Sequence, residues 1–353
     1  MVITDPTLSA LPPVATLLES LAGNGVAYEL FDRVHVEPTD TSFQEAIAFA
    51  REGEFDGFVA IGGGSSIDTA KAANLYSTYP ADLLTYVNAP IGKGEPVPGA
   101  LKPLIAIPTT AGTGSEVGRS GVVTPDGANS KGMFFHPELL AKCVFLDPEL
   151  TTGLPAGLTA ATGLDALTHC IESFTSPVFQ PLCDGIALEG IALIIHALPT
   201  AVANGSDIDA RGHMLVAAAM GGVAFQKDLG ATHSLAHPLS AICGAHHGTA
   251  NAICLPHVMR FNAQHKAGVY RRIGLACGLD VISCSDAEAD ELTIQFIDDF
   301  IQHCGMPPSL EDVGVEEQHI EALADQAWVD PCHQTNPVPV TREDLKELFL
   351  KAM

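Results

Sequence analysis

Residues 58–72 read FVAIGGGSSIDTAKA: an apolar run, three glycines and a serine, then residues at helical spacing through Asp68 and Lys71. The spacing predicts a strand, a turn at Gly62, Gly63, Gly64 and Ser65, and a helix. Glycines there let backbone N–H groups approach an anion, and the helix N-terminus adds its positive dipole end, so phosphate or pyrophosphate is the natural ligand. The same letters also suit a plain tight strand-to-helix turn, and they are not the GxGxxG fingerprint. Working outward, "MVIT" ends at Asp5-Pro6, "AYELF" follows an amphipathic stretch, "LIAIP" follows a Pro-rich connection, and "CVFLDPEL" near 143–150 reads as a last strand. Alternating strand and helix patterns predict a Rossmann-like parallel α/β sheet.

"IPTTAGTGSEV" (107–117) repeats the strand-to-turn pattern, offering the hydroxyls of Thr109, Thr110, Thr113 and Ser115. Two such turns at strand C-terminal ends would face the crevice where open α/β sheets bind ligands. An acid at a strand tip, as at Asp5, can bind ribose hydroxyls and repel a 2′-phosphate, which favours NAD over NADP, although Asp5-Pro6 by itself is more often just a turn. From about Leu158 onward the texture changes. "AGLTAATGLDALTHCIESF", "LCDGIALEGIALIIHALPTAV" and "ARGHMLVAAAMGGVAF" all carry helical periodicity. The expected organisation is an α/β nucleotide-binding domain over 1–152 and an all-helical domain over 153–353.

Asp165 and His169 stand four apart on one predicted helix face, a spacing that suits one metal ion and equally an ordinary contact. Residues 230–257, GATHSLAHPLSAICGAHHGTANAICLPH, hold His233, His237, His246, His247 and His257, with Pro238 and Gly244 suggesting a break between helices. A carboxylate and two or three imidazoles in an apolar helical context make a site for Fe²⁺ or Zn²⁺. Spacing alone leaves open which histidines bind. Cys170 and Glu172, beside the Asp/His pair, read as structural residues, with a supporting place behind the ligands the alternative.

Seventeen basic against 42 acidic side chains give a formal charge of −25. Such a surface repels phosphate backbones and anionic headgroups, so neither nucleic acid nor membrane surface is expected as a partner. The nine cysteines are scattered without a CxxC pair, which points to reduced thiols in a cytoplasmic setting. Neither a signal peptide nor a long uninterrupted apolar span is expected.

The motifs "GGGSSIDTAKA", "IPTTAGTGSE", "FLDPELTTGLP", "AATGLDALTHCIESF", "HSLAHPLSAICGAHHGTANAICLPHVMRFN" and "TNPVPVTREDLKELF" together resemble the iron-containing (group III) alcohol dehydrogenase family, which shares its fold with dehydroquinate synthase and glycerol dehydrogenase. The resemblance covers nearly the whole chain. It implies metal ligation by Asp165, His169, His233 and His247, with His237 lining the cleft as a proton-relay residue and not a ligand. It implies cofactor contacts at Gly63, Gly64, Ser65, Asp68, Thr109, Thr110 and Lys131, with Asp5 the acid associated with NAD. The implied reaction is NAD(H)-linked interconversion of a small-molecule alcohol and its aldehyde or ketone at a divalent metal, in a homodimer.

Two departures accompany the resemblance. The family's hairpin ahead of the "VITD" strand is expected to be lacking, and Asp228 puts an acid in a turn that is usually small and glycine-rich. Much of the first half, notably "VEPTDTSFQEAIAFA" and "APIGKGEPVPGALKPLIAIPTT", resembles the hydroxyacid-oxoacid transhydrogenase branch, which handles 4-hydroxybutyrate. A transhydrogenase is therefore the alternative activity.

Overall fold

The computed structural model describes residues 1–36, 38–89, 91–125 and 131–353. Two compact units emerge: Met1–Thr110 with Ser115–Leu150, and Ala111–Gly114 with Thr151–Met353.

In the first unit the strands are β1 (Val2–Ile3), β2 (Leu30–Phe31), β3 (Phe58–Gly62), β4 (Leu104–Pro108), β5 (Ser120–Val123), β6 (Gly132–Phe135) and β7 (Cys143–Val144). Five of them form a parallel sheet in the order β2-β1-β3-β4-β7. Side chains alternate across it, and both faces are covered. Ile3, Phe58, Ala60, Leu104 and Ala106 pack into one apolar cluster with Ile67 and Ala70 of the helix Gly64–Thr78. Val2, Ile61 and Ile107 pack into another with Val14 of the helix Pro12–Gly23. Burial on both faces is what makes these strands near-continuous apolar runs. The chain winds outward from β1 to β2, then returns past β1 to β3. The strand order therefore reverses between β1 and β3, where doubly wound sheets open a crevice at the strand C-terminal ends.

The antiparallel pair β5–β6 lies outside that sheet and was not anticipated. Its strands have four residues each, and their short apolar runs are framed by polar and glycine positions.

The second unit is helical. Ala156–Thr175, buried almost continuously from Thr159 to Ser173, runs against Pro181–Ala203, Ile208–Ala224 and His247–His265. Pro181–Ala203 is long and apolar enough to cross a membrane by length and composition alone, although Asp184, Glu189 and His196 interrupt its apolar run. Within this unit Ala187, Ile191, Ile194, Leu198 and Ala201 on it are buried.

Pro238 does not break the chain as expected. It sits inside the helix Ala231–Cys243, where it removes one backbone donor. The stop is Gly244, at φ +69°, and His247 then opens the next helix. Gly248 is a second position where only glycine serves, because a Cβ there would lie 2.1 Å from the carbonyl oxygen of Ala161.

An exposed helical Gly→Ala change ordinarily stabilises by about 1 kcal/mol, and Gly185, with open space where its Cβ would stand, should follow that rule. At Gly248 the clash is with backbone and wins. Gly248→Ala should destabilise by about 2 kcal/mol. Paired melts of the two variants, with opposite shifts expected, check this.

Candidate metal centre and nucleotide turn

In the first unit the glycine turn caps β3. Gly63 is the N-cap of Gly64–Thr78, and no side chain caps that helix. The amide of Thr109 donates to the Gly62 carbonyl (3.1 Å), and a Cβ on Gly63 would meet Thr110 Oγ1 at 3.3 Å. The turns after β3 and β4 are thus in contact, which brings together Gly63, Gly64, Ser65, Thr109 and Thr110. Asp5 caps the short helix Pro6–Ser9, its Oδ1 accepting from the amides of Thr7 and Leu8 at 2.9 Å each, while Oδ2 faces Gly62. Acid and glycine turn therefore flank the β1/β3 crevice. Lys131 is half-buried just ahead of β6.

Asp68 has both carboxylate oxygens engaged within this unit. It is buried, its Oδ1 accepts from Ser115 Oγ (2.5 Å), and its Oδ2 accepts from the Val122 amide (3.0 Å). Lys71, fully buried beside it, donates to Ser115 O (2.8 Å), Ser115 Oγ (2.9 Å) and Ser120 O (2.6 Å). The pair fastens the segment after β4 to the helix that follows β3. Glu116 lies within this buried group, and burial pushes its carboxyl up to about 7, against the opposing influence of its own backbone and Lys71.

In the second unit, Asp165 and His169 lie on Ala156–Thr175, His233 and His237 on Ala231–Cys243, and His247 at the start of His247–His265. Asp165 Oδ1 is 3.8 Å from His169 Nε2, 3.8 Å from His233 Nε2 and 3.6 Å from His247 Nε2. Asp165, His169 and His233 are buried, and His247 is half-buried. The close approach at Gly248 is what lets the helix His247–His265 carry His247 to Asp165.

The atoms that converge are acceptors. Glu172 Oε2 takes His233 Nδ1 at 2.6 Å and so holds the ring proton there, turning the Nε2 lone pair inward. Burial would raise both carboxyls. The imidazoles instead hold Asp165 well below the usual carboxylate range, and His233 with the Thr232 amide lowers Glu172. Burial lowers His169 to about 4, so it is neutral, with the Gly112 backbone favouring a proton on its ring. Among the described residues, the Asn251 amide is the neutral donor that faces this group. The Asn251 amide nitrogen is 2.8 Å from Asp165 Oδ1 and 3.3 Å from the Nε2 atoms of both His233 and His247, while its own Oδ1 is buried without a partner. Two amide hydrogens cannot satisfy three acceptors. The donor set is therefore chemically suited to a cation. His233, pushed up to about 9 by Asp165 and Glu172 in spite of burial, shows the same demand met by a proton.

His237 does not join the Asp165 group. Its Nδ1 pairs with Asp330 Oδ2 at 2.7 Å, and its ring stacks on that of His247 with centroids 5.3 Å apart. His246 is exposed and His257 lies further along its helix. Asn251 and Asp330 escaped the sequence reading. Asn251 stands four residues after His247 on one helix face, a spacing that could have exposed it. Asp330 is 93 residues from its partner and carries no local signal. Asp228 adopts φ +74°, ψ 171°, a backbone region that glycine occupies without strain.

A doubly wound sheet with a glycine turn, followed by a helical unit with a buried Asp and three His, is the arrangement of an enzyme suited to a nucleotide and a divalent metal. The family description "Iron-containing alcohol dehydrogenase" matches residues 1–148, and "Fe-containing alcohol dehydrogenase family, C-terminal" matches 159–353. The chain is 39% identical to 4-hydroxybutyrate dehydrogenase of Cupriavidus necator, over all of this chain and 92% of that one. Among solved structures it is similar to 1,3-propanediol oxidoreductase (TM-score 0.95, 34% identity, 100% of this chain and 91% of that one). It is also similar to sulfoacetaldehyde reductase of Bifidobacterium kashiwanohense in complex with NAD⁺ (TM-score 0.87, 29% identity, 99% and 90%). The chain belongs to the iron-containing alcohol dehydrogenase family. It is an NAD-linked oxidoreductase that interconverts alcohols and their carbonyl compounds.

Because Glu116 has a folded-state value above its unfolded one, its contribution to stability is full below pH about 4.5 and is lost as pH rises through about 7. Glu116→Gln should remove that slope, a difference on the order of 3 kcal/mol between the two limits. Urea midpoints of variant and wild type across pH 5 to 8 read it, and parallel slopes would exclude it.

Proposed function

We propose that Asp165, His169, His233 and His247 hold one divalent cation, Fe²⁺ in preference to Zn²⁺, for oxidation of a short hydroxyacid of the 4-hydroxybutyrate type. The observation that carries the metal reading is the surplus of acceptors around Asp165, which one amide cannot satisfy. The nitrogen and oxygen donor set accepts either ion, and the family supports iron. Resemblance of the first half to the transhydrogenase branch and 39% identity to a 4-hydroxybutyrate dehydrogenase support the substrate class.

When bound, the cation supplies Lewis acidity that favours the deprotonated alcohol, and the nicotinamide supplies the hydride acceptor. The chain's residues do the rest. Gly63, Gly64, Ser65, Thr109 and Thr110 receive the pyrophosphate, with Lys131 a further contact. Asp5 receives the ribose hydroxyls, and Asp68 positions the second turn through Ser115. Glu172 fixes the His233 ring, and His237 carries the hydroxyl proton outward. Nine unpaired cysteines support a reducing, cytoplasmic setting. Small molecules, with no nucleic acid or membrane, complete the expected partners, and a homodimer is the expected assembly.

Anaerobic assay of Fe²⁺-reconstituted protein with NAD⁺ against short alcohols, diols and 4-hydroxybutyrate tests the reading. Chelator-sensitive NADH formation, greatest with 4-hydroxybutyrate, is expected. Turnover that requires 2-oxoglutarate and releases no NADH would reassign the chain to the transhydrogenase activity. His247→Ala should lose metal and turnover together, whereas His237→Ala should keep its metal and lose turnover; metal analysis of both proteins separates the two roles.

A further inference from the structure

We propose that Asp330 is a positioning residue that sets the tautomer of His237, and that Ser234 and the backbone of Cys332 and His333 dictate which oxygen of Asp330 does so. The proposal rests on His237 as the proton carrier. It follows from donors whose direction is fixed. A peptide N–H can only donate. The His333 amide donates to Ser234 Oγ at 2.8 Å, so the hydroxyl's own proton is directed elsewhere, and Asp330 Oδ1 lies 2.8 Å away to accept it. The Cys332 amide donates to the same Oδ1 at 2.9 Å. Oδ1 thus receives two donors, neither of which can be reversed.

What remains is Oδ2, 2.7 Å from His237 Nδ1. A carboxylate can only accept, so the ring proton sits on Nδ1 and the lone pair on Nε2, on the far side of the ring. Burial works against the charge, yet His237, the Cys332 amide and Ser234 hold the Asp330 carboxyl at about 2, ionised throughout. Stacking on His247, with planes 10° apart, and edge contact with His233 keep the ring in place. By residue type alone, His237, Asp330 and Cys332 form a second group of metal-ligating side chains. Its chemistry speaks against that, since both Asp330 oxygens already accept hydrogen bonds and burial keeps the Cys332 thiol protonated.

The proton transfer balances. As the alcohol O–H bond breaks, an N–H bond forms at Nε2, and the resulting imidazolium keeps its Nδ1 proton on Asp330. The hydride leaves with the nicotinamide in the established activity, and the Nε2 proton passes to solvent. With the other tautomer Nε2 bears a proton already and cannot accept.

Asp330→Asn separates this from a merely structural role. Its oxygen must stay with the Cys332 amide and Ser234, so its NH₂ faces His237 Nδ1 and forces the proton onto Nε2. Asp330→Ala leaves the ring free to take either tautomer. In metal-loaded protein kcat should fall by about 10³-fold or more in Asp330→Asn, with KM little changed and metal content intact, and should fall less in Asp330→Ala. A structural role predicts the reverse order, because alanine removes every hydrogen bond.

Tautomers are read directly by two-bond ¹H–¹⁵N correlation of histidine-labelled, Zn²⁺-loaded protein at alkaline pH, with His237 assigned from His237→Gln. The Nδ1–H form is expected in wild type and the Nε2–H form in Asp330→Asn. Finding Nε2–H in wild type overturns the proposal, as does an unchanged tautomer in Asp330→Asn. A switched tautomer with full turnover in both Asp330→Asn and His237→Ala would leave Asp330 as the tautomer-setting residue and remove His237 from the reaction.

Discussion

A carboxylate buried among imidazole lone pairs is the constraint on which the helical unit turns. Taking Asp165 out of water costs several kcal/mol unless charge and hydrogen bonds return it, and one asparagine amide returns little. Three helices must therefore end or pass within a few ångströms of one point, each presenting a nitrogen. That requirement accounts for Gly244, which stops one helix, and for Gly248, which lets the next touch Ala161. It also accounts for the long buried course of Ala156–Thr175, which carries both Asp165 and Glu172. Packing preferences alone would fill such a centre with leucine.

Two histidines one turn apart on the same helix receive different work from the carboxylates behind them. His233 is held by Glu172, which also accepts from the amides of Gly230 and Thr232. His237 is held by Asp330, anchored from the other end of the sequence. In each case a peptide N–H fixes the acid and the acid fixes the ring. Imidazole is indifferent between its two tautomers to within a small energy, so the decision passes to whichever group touches Nδ1. The backbone thereby determines chemistry at atoms it does not contact.

Local signals were legible in the sequence, and distant ones were not. Strand positions at Val2–Ile3, Phe58–Gly62 and Leu104–Pro108 followed from apolar runs ending in turn residues, and the helices of the second half from their periodicity. Asp165 and His169 declared themselves by spacing, but choosing among five histidines needed the family resemblance, since a helix stagger can present any two. The β5–β6 pair carried too few apolar residues to stand out. Pro238 misled because the helix Ala231–Cys243 runs through it and stops instead at Gly244. Asp68 stands beside a glycine turn, a position shared by binding and bracing residues, and its partners, 47 and 54 residues away, leave no local signal. Asp330 is the extreme case, with neither motif nor neighbour to announce it.

Residues Ala111–Gly114 leave the sheet unit at the end of β4, join the helical unit and return. Gly112 and Gly114 there come within contact distance of Thr162 and of Ala218 and Gly222, and Gly112 backs the ring of His169. The helical unit is therefore not one continuous length of chain. Made on a ribosome, it would lack one wall until a tetrapeptide synthesised some time before was brought back to it. Severed from that tetrapeptide at the point where the helices begin, residues 151–353 would carry every proposed metal ligand and still be an unfinished domain.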